Sequence, residues 1–182
     1  MTTVFISGSM KIKNINPLVL NRIENIIKSS FDIIVGDADG VDTSIQAFLK
    51  EKSYEKVVVY CSGQFARNRL GSWAVEKVFT EEKENSIKFY SAKDIEMANK
   101  CDFGLMVWDS KSTGTLSNVL RLLKQEKKSL VFVNKNKSFV KIVNIKDLEH
   151  LISFMSDSAF QKADKKMSLK NKIAELKQGN LF

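Results

Sequence analysis

Five short apolar runs dominate the chain: Thr3 to Ile6, Phe31 to Val35, Lys56 to Tyr60, Phe103 to Trp108 and Leu130 to Val133. Runs this apolar and this short suit strands covered on both faces. Segments of helical period separate several of them, with Val19, Ile23, Ile26 and Ile27 on one face, then Val41, Ile45, Phe48 and Leu49, and later Leu116, Val119, Leu120 and Leu123. Asn16 followed by Pro17 marks the start of the first such segment. Strand-length and helix-length segments in alternation predict an α/β fold: a Rossmann-like open, mainly parallel sheet with helices on both faces.

The rest of the chain extends this pattern. Ser91 and Asp94 have the spacing of a capping box and predict a helix from Ala92 to about Lys100. Phe139 to Ile145 reads as an edge strand, and Lys146 to Met155 as a helix. Residues 61 to 86, polar and containing Arg67, Arg69, Gly71 and Trp73, carry no clear period. The expected organisation is one domain over 1–156 and a basic tail over 157–182, with a helix around Ser168 to Gln178.

Composition narrows the function. The formal charge is +8, but six lysines from Lys162 onward face only Asp164 and Glu175, so the tail holds half of that excess. The small surplus on the body gives little support to a nucleic-acid footprint, and single-stranded DNA binding stays an alternative. His150 is the single histidine, which argues against a hydrolytic triad or a histidine-rich metal site. Cys61 and Cys101 are far apart and read as reduced thiols near the core. With no basic-then-apolar leader and no apolar run of roughly 18 residues, the expectation is a cytoplasmic protein without a membrane segment.

Open parallel sheets bind ligands at the carboxyl ends of their strands. Three loops fall there: Ser7-Gly8-Ser9, Gly36 to Asp42 in GDADGVD, and Ser110 to Thr115. The last suits phosphate best. Ser112, Thr113 and Thr115 offer hydroxyls and Gly114 lets the backbone approach, although such a loop alone reads more readily as a helix cap and nothing more. The Gly36 loop carries Asp37, Asp39 and Asp42, and three carboxylates are ill suited to phosphate. Asp39 is expected to cap the following helix, and Asp42 to cap it or contact ligand. A carboxylate at Asp37 could accept hydrogen bonds from a ribose diol or a base amine, or hold Mg²⁺. Arg67 or Arg69 would assist at the phosphates. Trp73 and Trp108 are expected to be packing residues.

Together, VFISGS, IIVGDADGVDTSIQ and STGTLSNVL resemble the SLOG superfamily of Rossmann-like nucleotide binders, which includes LOG enzymes and the core of DNA-processing protein A. The likeness spans about residues 2 to 134. It implies a nucleotide or nucleotide-derived ligand across Ser7, Gly8, Ser9, Gly36, Asp37, Gly40, Asp42, Arg67, Ser112, Thr113, Gly114 and Thr115, and a homodimer. LOG-type hydrolases carry glutamates after their GT pair, where this chain has Leu116-Ser117-Asn118. The expectation is therefore a sensor or binding protein. The alternative is an N-glycosidase, phosphoribohydrolase or deoxyribosyltransferase-like enzyme, with Asp37 or Asp42 supplying the carboxylate.

The chain ends in Gln178-Gly179-Asn180-Leu181-Phe182. This resembles the peptide by which bacterial proteins dock on the sliding clamp, with Gln178 making polar contacts and Leu181 and Phe182 entering an apolar pocket. The alternative is that Leu181 and Phe182 fold back and anchor the terminus.

Overall fold

The computed structural model describes residues 1–179, so the predicted contacts of Leu181 and Phe182 lie outside the described residues. Seven strands form one sheet: β1 (Thr3–Gly8), β2 (Asp32–Gly36), β3 (Val57–Ser62), β4 (Ala74–Val78), β5 (Phe103–Trp108), β6 (Ser129–Val133) and β7 (Ser138–Ile142). Their spatial order is β4-β3-β2-β1-β5-β6-β7, all parallel except the β6–β7 hairpin. The fold is the expected α/β, Rossmann-like open sheet. From β1 the chain steps outward through β2 and β3 to β4, then crosses back to β5 on the other side of β1. Connections leaving β1 and β5 therefore diverge, which is the topological switch point of such sheets.

Among the described residues seven helices cover the sheet: α1 (Pro17–Lys28), α2 (Val41–Glu51), α3 (Ile87–Lys100), α4 (Thr113–Lys124), α5 (Ile145–Ile152), α6 (Asp157–Met167) and α7 (Leu169–Gly179). The period-2 alternation of the strands splits the core in two. Val4, Ile6, Ile33 and Val35 face α1 and α2, whose Val19, Ile23, Val41, Ile45 and Leu49 are buried against them. Phe5, Ile34 and Met106 face the other way, toward α3 and α4. Both tryptophans are interior, Trp108 at 1% exposure and Trp73 at 8%.

Three expectations need correction. The α3 helix starts at Ile87, where Ser86 accepts the Phe89 amide at 3.0 Å. Ser91 lies inside it with its hydroxyl on the Lys88 carbonyl, so the Ser91–Asp94 spacing was a coincidence of helical sequence rather than a cap. Residues 61–86, unassigned from the sequence, contain β4, a half-exposed edge strand that has no apolar alternation to betray it. Asp39 does not cap α2: the N-cap is Gly40, with φ of 79° and no side-chain cap bond, and the Asp39 carboxylate instead accepts from Asn68 at 3.0 Å.

The region after residue 156 forms α6 and α7, joined through Ser168 in the left-handed conformation. Ala163 and Leu169 are fully buried in the same core as Leu116 and Leu120. Helix α6 lies on α4, with the Ser117 hydroxyl donating to the Met167 sulfur at 3.8 Å.

Candidate functional site

The carboxyl ends of β1, β2, β3 and β5 gather most of the sequence-predicted residues, with a lysine that the sequence did not single out at the centre. Helix α3 crosses the sheet from β4 to β5, and Lys93 projects from it toward the end of β2. Its Nζ lies 2.9 Å from Asp94, 3.6 Å from Asp42 and 3.9 Å from Asp37. The side chains of Lys93, Asp42 and Asp37 are 4% exposed or less. Asp42 belongs to α2, on the opposite face of the sheet, so the contact passes over the strand end at Gly36. A Cβ on Gly36 would overlap both the Asp42 carboxylate and the Lys93 ammonium. Gly36 is glycine because an ion pair fills the space a side chain would take.

Asp37 is held by Arg67. The guanidinium donates from Nη2 at 2.7 Å and Nε at 3.2 Å, and the Arg67 amide donates at 2.9 Å. This is the paired geometry in which arginine recognises carboxylates most strongly. The Tyr90 ring lies beneath the guanidinium, 4.2 Å from its carbon. Asn68 closes the loop, donating to the Asp37 carbonyl at 2.9 Å. Gln46, fully buried, donates to the Gly36 carbonyl at 2.9 Å and accepts the Leu70 amide at 3.0 Å. Arg69, the other arginine considered for ligand, is committed to the Trp73 carbonyl at 2.6 Å.

The three charged residues at the centre titrate differently. Burial pushes the Asp42 carboxyl up to about 6; Asp94 and Asp37 add to this, and Lys93 and the Ala38 amide oppose it. Burial also acts on Asp37, but the hydrogen bonds from Arg67 and the charge of Lys93 outweigh it and hold that carboxyl below its ordinary value. Burial opposes the charge on Lys93, yet Asp94, Asp42 and Asp37 outweigh it and raise the ammonium well above the usual lysine range. Asp42 Oδ1 is buried without a hydrogen-bond partner among the described residues. Among the described residues no set of three or more His, Cys, Asp or Glu is arranged to hold a metal ion, and the Lys93 ammonium stands where a cation between these carboxylates would sit.

The second half of the site lies at the switch point. Ser9 and Thr115 are buried, their hydroxyls 3.5 Å apart, and Ser9 Oγ accepts the Asp109 amide at 3.1 Å. Thr115 donates to Ser112 Oγ at 3.2 Å. The Asp109 carboxylate turns onto the amides of Lys111 and Ser112, at 2.9 and 2.7 Å. Ser112 is the N-cap residue of α4 but makes no side-chain cap bond, which leaves the Thr113, Gly114 and Thr115 amides without a side-chain acceptor. Deeper between α3 and α4, Arg121 donates to the buried Asn118 at 2.8 Å. Burial pulls Arg121 below its ordinary value, against the opposing charge of Asp94.

The glycines named from the sequence separate into two kinds. Gly8 is closed by Val41 and the Val107 carbonyl, Gly36 by the ion pair, and Gly40 by the Met10 backbone. A Cβ on Gly114 would meet nothing within 4 Å. Of the four, Gly114 alone borders open space. Away from this edge lie a concavity of about 290 Å³ beside Leu123, Glu126 and Leu176 and another of about 480 Å³ at the opposite ends of the strands. The charged cluster itself is packed shut, and the surface above it is formed by the Thr113–Gly114 turn, Asp39 and the outer edge of Arg67. No family model and no curated protein matches this chain.

Proposed function

We propose that this carboxyl edge binds a nucleotide or nucleotide-derived ligand, with its phosphate on the first turn of α4, and that the protein acts as a sensor or binding protein. The observation that carries the reading is the uncapped amino end of α4 at the switch point, with Gly114 facing open space. Free amides and the positive end of the helix dipole favour an anion there. Arg67 is held in place by Asp37 and Tyr90, and its Nη1 is free of hydrogen bonds within the described protein, so it can meet a second polar group of the ligand. On this reading Asp37 does not touch the ribose. It orients the arginine that does.

Calorimetric titration with AMP and ADP-ribose tests the proposal. Gly114→Asp sets a carboxylate at the helix start, where it suits the dipole and repels phosphate. Loss of binding with a melting temperature no lower than that of the wild type is expected. Equal affinity in the variant, or no binding by the wild type together with no nucleotide co-purifying by mass spectrometry, refutes the reading.

The alternative, cleavage of an N-glycosidic bond with Asp42 as the carboxylate, has the packing against it, since Asp42 is buried beside Lys93 and sealed from an incoming ligand. Release of free base from nucleoside monophosphates, absent in Asp42→Asn, separates it from binding alone.

A further inference from the structure

The topology leaves one sheet face partly bare. Helices α1 and α2 serve the β1-to-β3 side, α4 connects β5 to β6 over the other face, and β6 turns into β7 without any helix. On the α1 side, β5, β6 and β7 therefore present Phe103, Leu130, Phe139 and Lys141 beyond the edge of α1. Phe103 is 43% exposed, and Leu130 and Phe139 are half-buried. Between this face and α1 lies the 480 Å³ groove, walled by Ile26, Phe31, Phe103 and Leu130. Its volume falls in the range of sites for small organic ligands, roughly 300–1,000 Å³.

The polar rim of the groove has a single sign. Arg22, Lys128 and Lys141 line it, and no acidic residue does. None of the three enters an ion pair among the described residues. Arg22 instead rests over the Phe139 ring at 5.6 Å. Asp102, next to Phe103 in sequence, is turned onto the Thr3 amide at 2.7 Å. Three free cations around apolar walls match a ligand with one anionic end and an apolar body. A second copy of this chain fits poorly, since pairing the two faces would bring six cations together with no acid between them.

We infer that this groove, at the amino ends of the strands, is a binding site for a small amphiphilic carboxylate, separate from the nucleotide site at the carboxyl ends. The apolar body lies along Phe31, Phe103 and Leu130, and the carboxylate meets Arg22 and Lys141. Arg22 leaves the face of Phe139 to make that contact.

Fluorescence of the neutral dye Nile red with decanoate as competitor tests the inference. For the wild type at low salt, decanoate displaces the dye, equimolar decanol displaces it poorly, and AMP leaves it in place. In Arg22→Glu/Lys141→Glu decanoate affinity falls by about tenfold or more, while decanol competition and melting temperature are unchanged. In Leu130→Arg, which puts a long side chain across the floor, the dye itself is lost. Failure of decanoate to displace the dye, equal displacement by decanol, displacement by AMP, or undiminished decanoate binding in the double variant overturns the inference.

Discussion

Lys93 of α3 and Asp42 of α2 meet 3.6 Å apart over the end of β2, although their helices lie on opposite faces of the sheet. The contact ties the two halves of the core at the strand edge where the candidate site is built. Its energy depends on charge rather than apolar burial, so pH and single substitutions expose it.

The stability of the protein should fall as pH rises from about 4 to about 6. Asp42 has a folded value of about 6 against an ordinary 3.8, so in that window the native state binds the extra proton and acidification favours it. The loss amounts to about 3 kcal/mol and is complete above about pH 7, the stabilisation being full only below about pH 4. Asp37, held low, works in the opposite sense: its stabilisation is present above its ordinary value of 3.8 and is lost only as pH falls below that. Urea denaturation of wild type and Asp42→Asn across pH 4 to 7 isolates the Asp42 part. Parallel stability curves would contradict it.

Lys93→Met leaves Asp37, Asp42 and Asp94 without their shared cation. A cost of roughly 3–5 kcal/mol is expected at pH 7, as for other buried charges stripped of a partner. The cost shrinks at pH 5, where Asp42 takes up a proton. If the variant is unfolded at neutral pH, recovery of native circular dichroism on acidification reports the same coupling, and a deficit independent of pH argues against it.

Two glycines give opposite results on replacement by alanine. Gly36→Ala drives a methyl into the Lys93–Asp42 pair and should lower stability by about 2 kcal/mol or more. Gly114→Ala sits in the first turn of α4 with nothing nearby and should raise stability by roughly 0.5–1 kcal/mol. Thermal unfolding of both variants reads the contrast. The Gly114 variant should also bind nucleotide more weakly if phosphate occupies that turn.

The two ends of the tail should behave independently. Leu169 is fully buried, and Leu169→Ala is expected to cost about 2–4 kcal/mol. Gln178 is exposed on the last turn of α7. Under the proposal that the terminus docks on a bacterial sliding clamp, removing residues 180–182 abolishes retention on immobilised clamp and leaves the melting temperature unchanged. A large drop in melting temperature favours the anchor reading instead.

The sequence by itself determined the sheet and most of its helices. Apolar runs such as Ile33 to Val35 and the spaced residues Val41, Ile45 and Leu49 are local patterns, and burial of a strand or a helix face follows from local period. It also placed the three candidate loops at strand ends, because such loops sit there wherever the sheet is parallel. Local patterns fail where burial is set by distant chain. Edge strand β4 has solvent on one side and no period to read, and the Ser86 cap was hidden by a second serine at the right spacing. Lys93 reads as one lysine among many on a charged helix. Only the crossing of α3 over the sheet buries it beside Asp37 and Asp42, and only that crossing explains Gly36. The same tertiary arrangement decided the fate of GDADG: Asp37 holds Arg67, Asp39 binds Asn68, and Asp42 faces Lys93. Charges buried together are chosen by three-dimensional neighbours: Arg67 lies 30 residues along the chain from Asp37, and Lys93 lies 51 from Asp42.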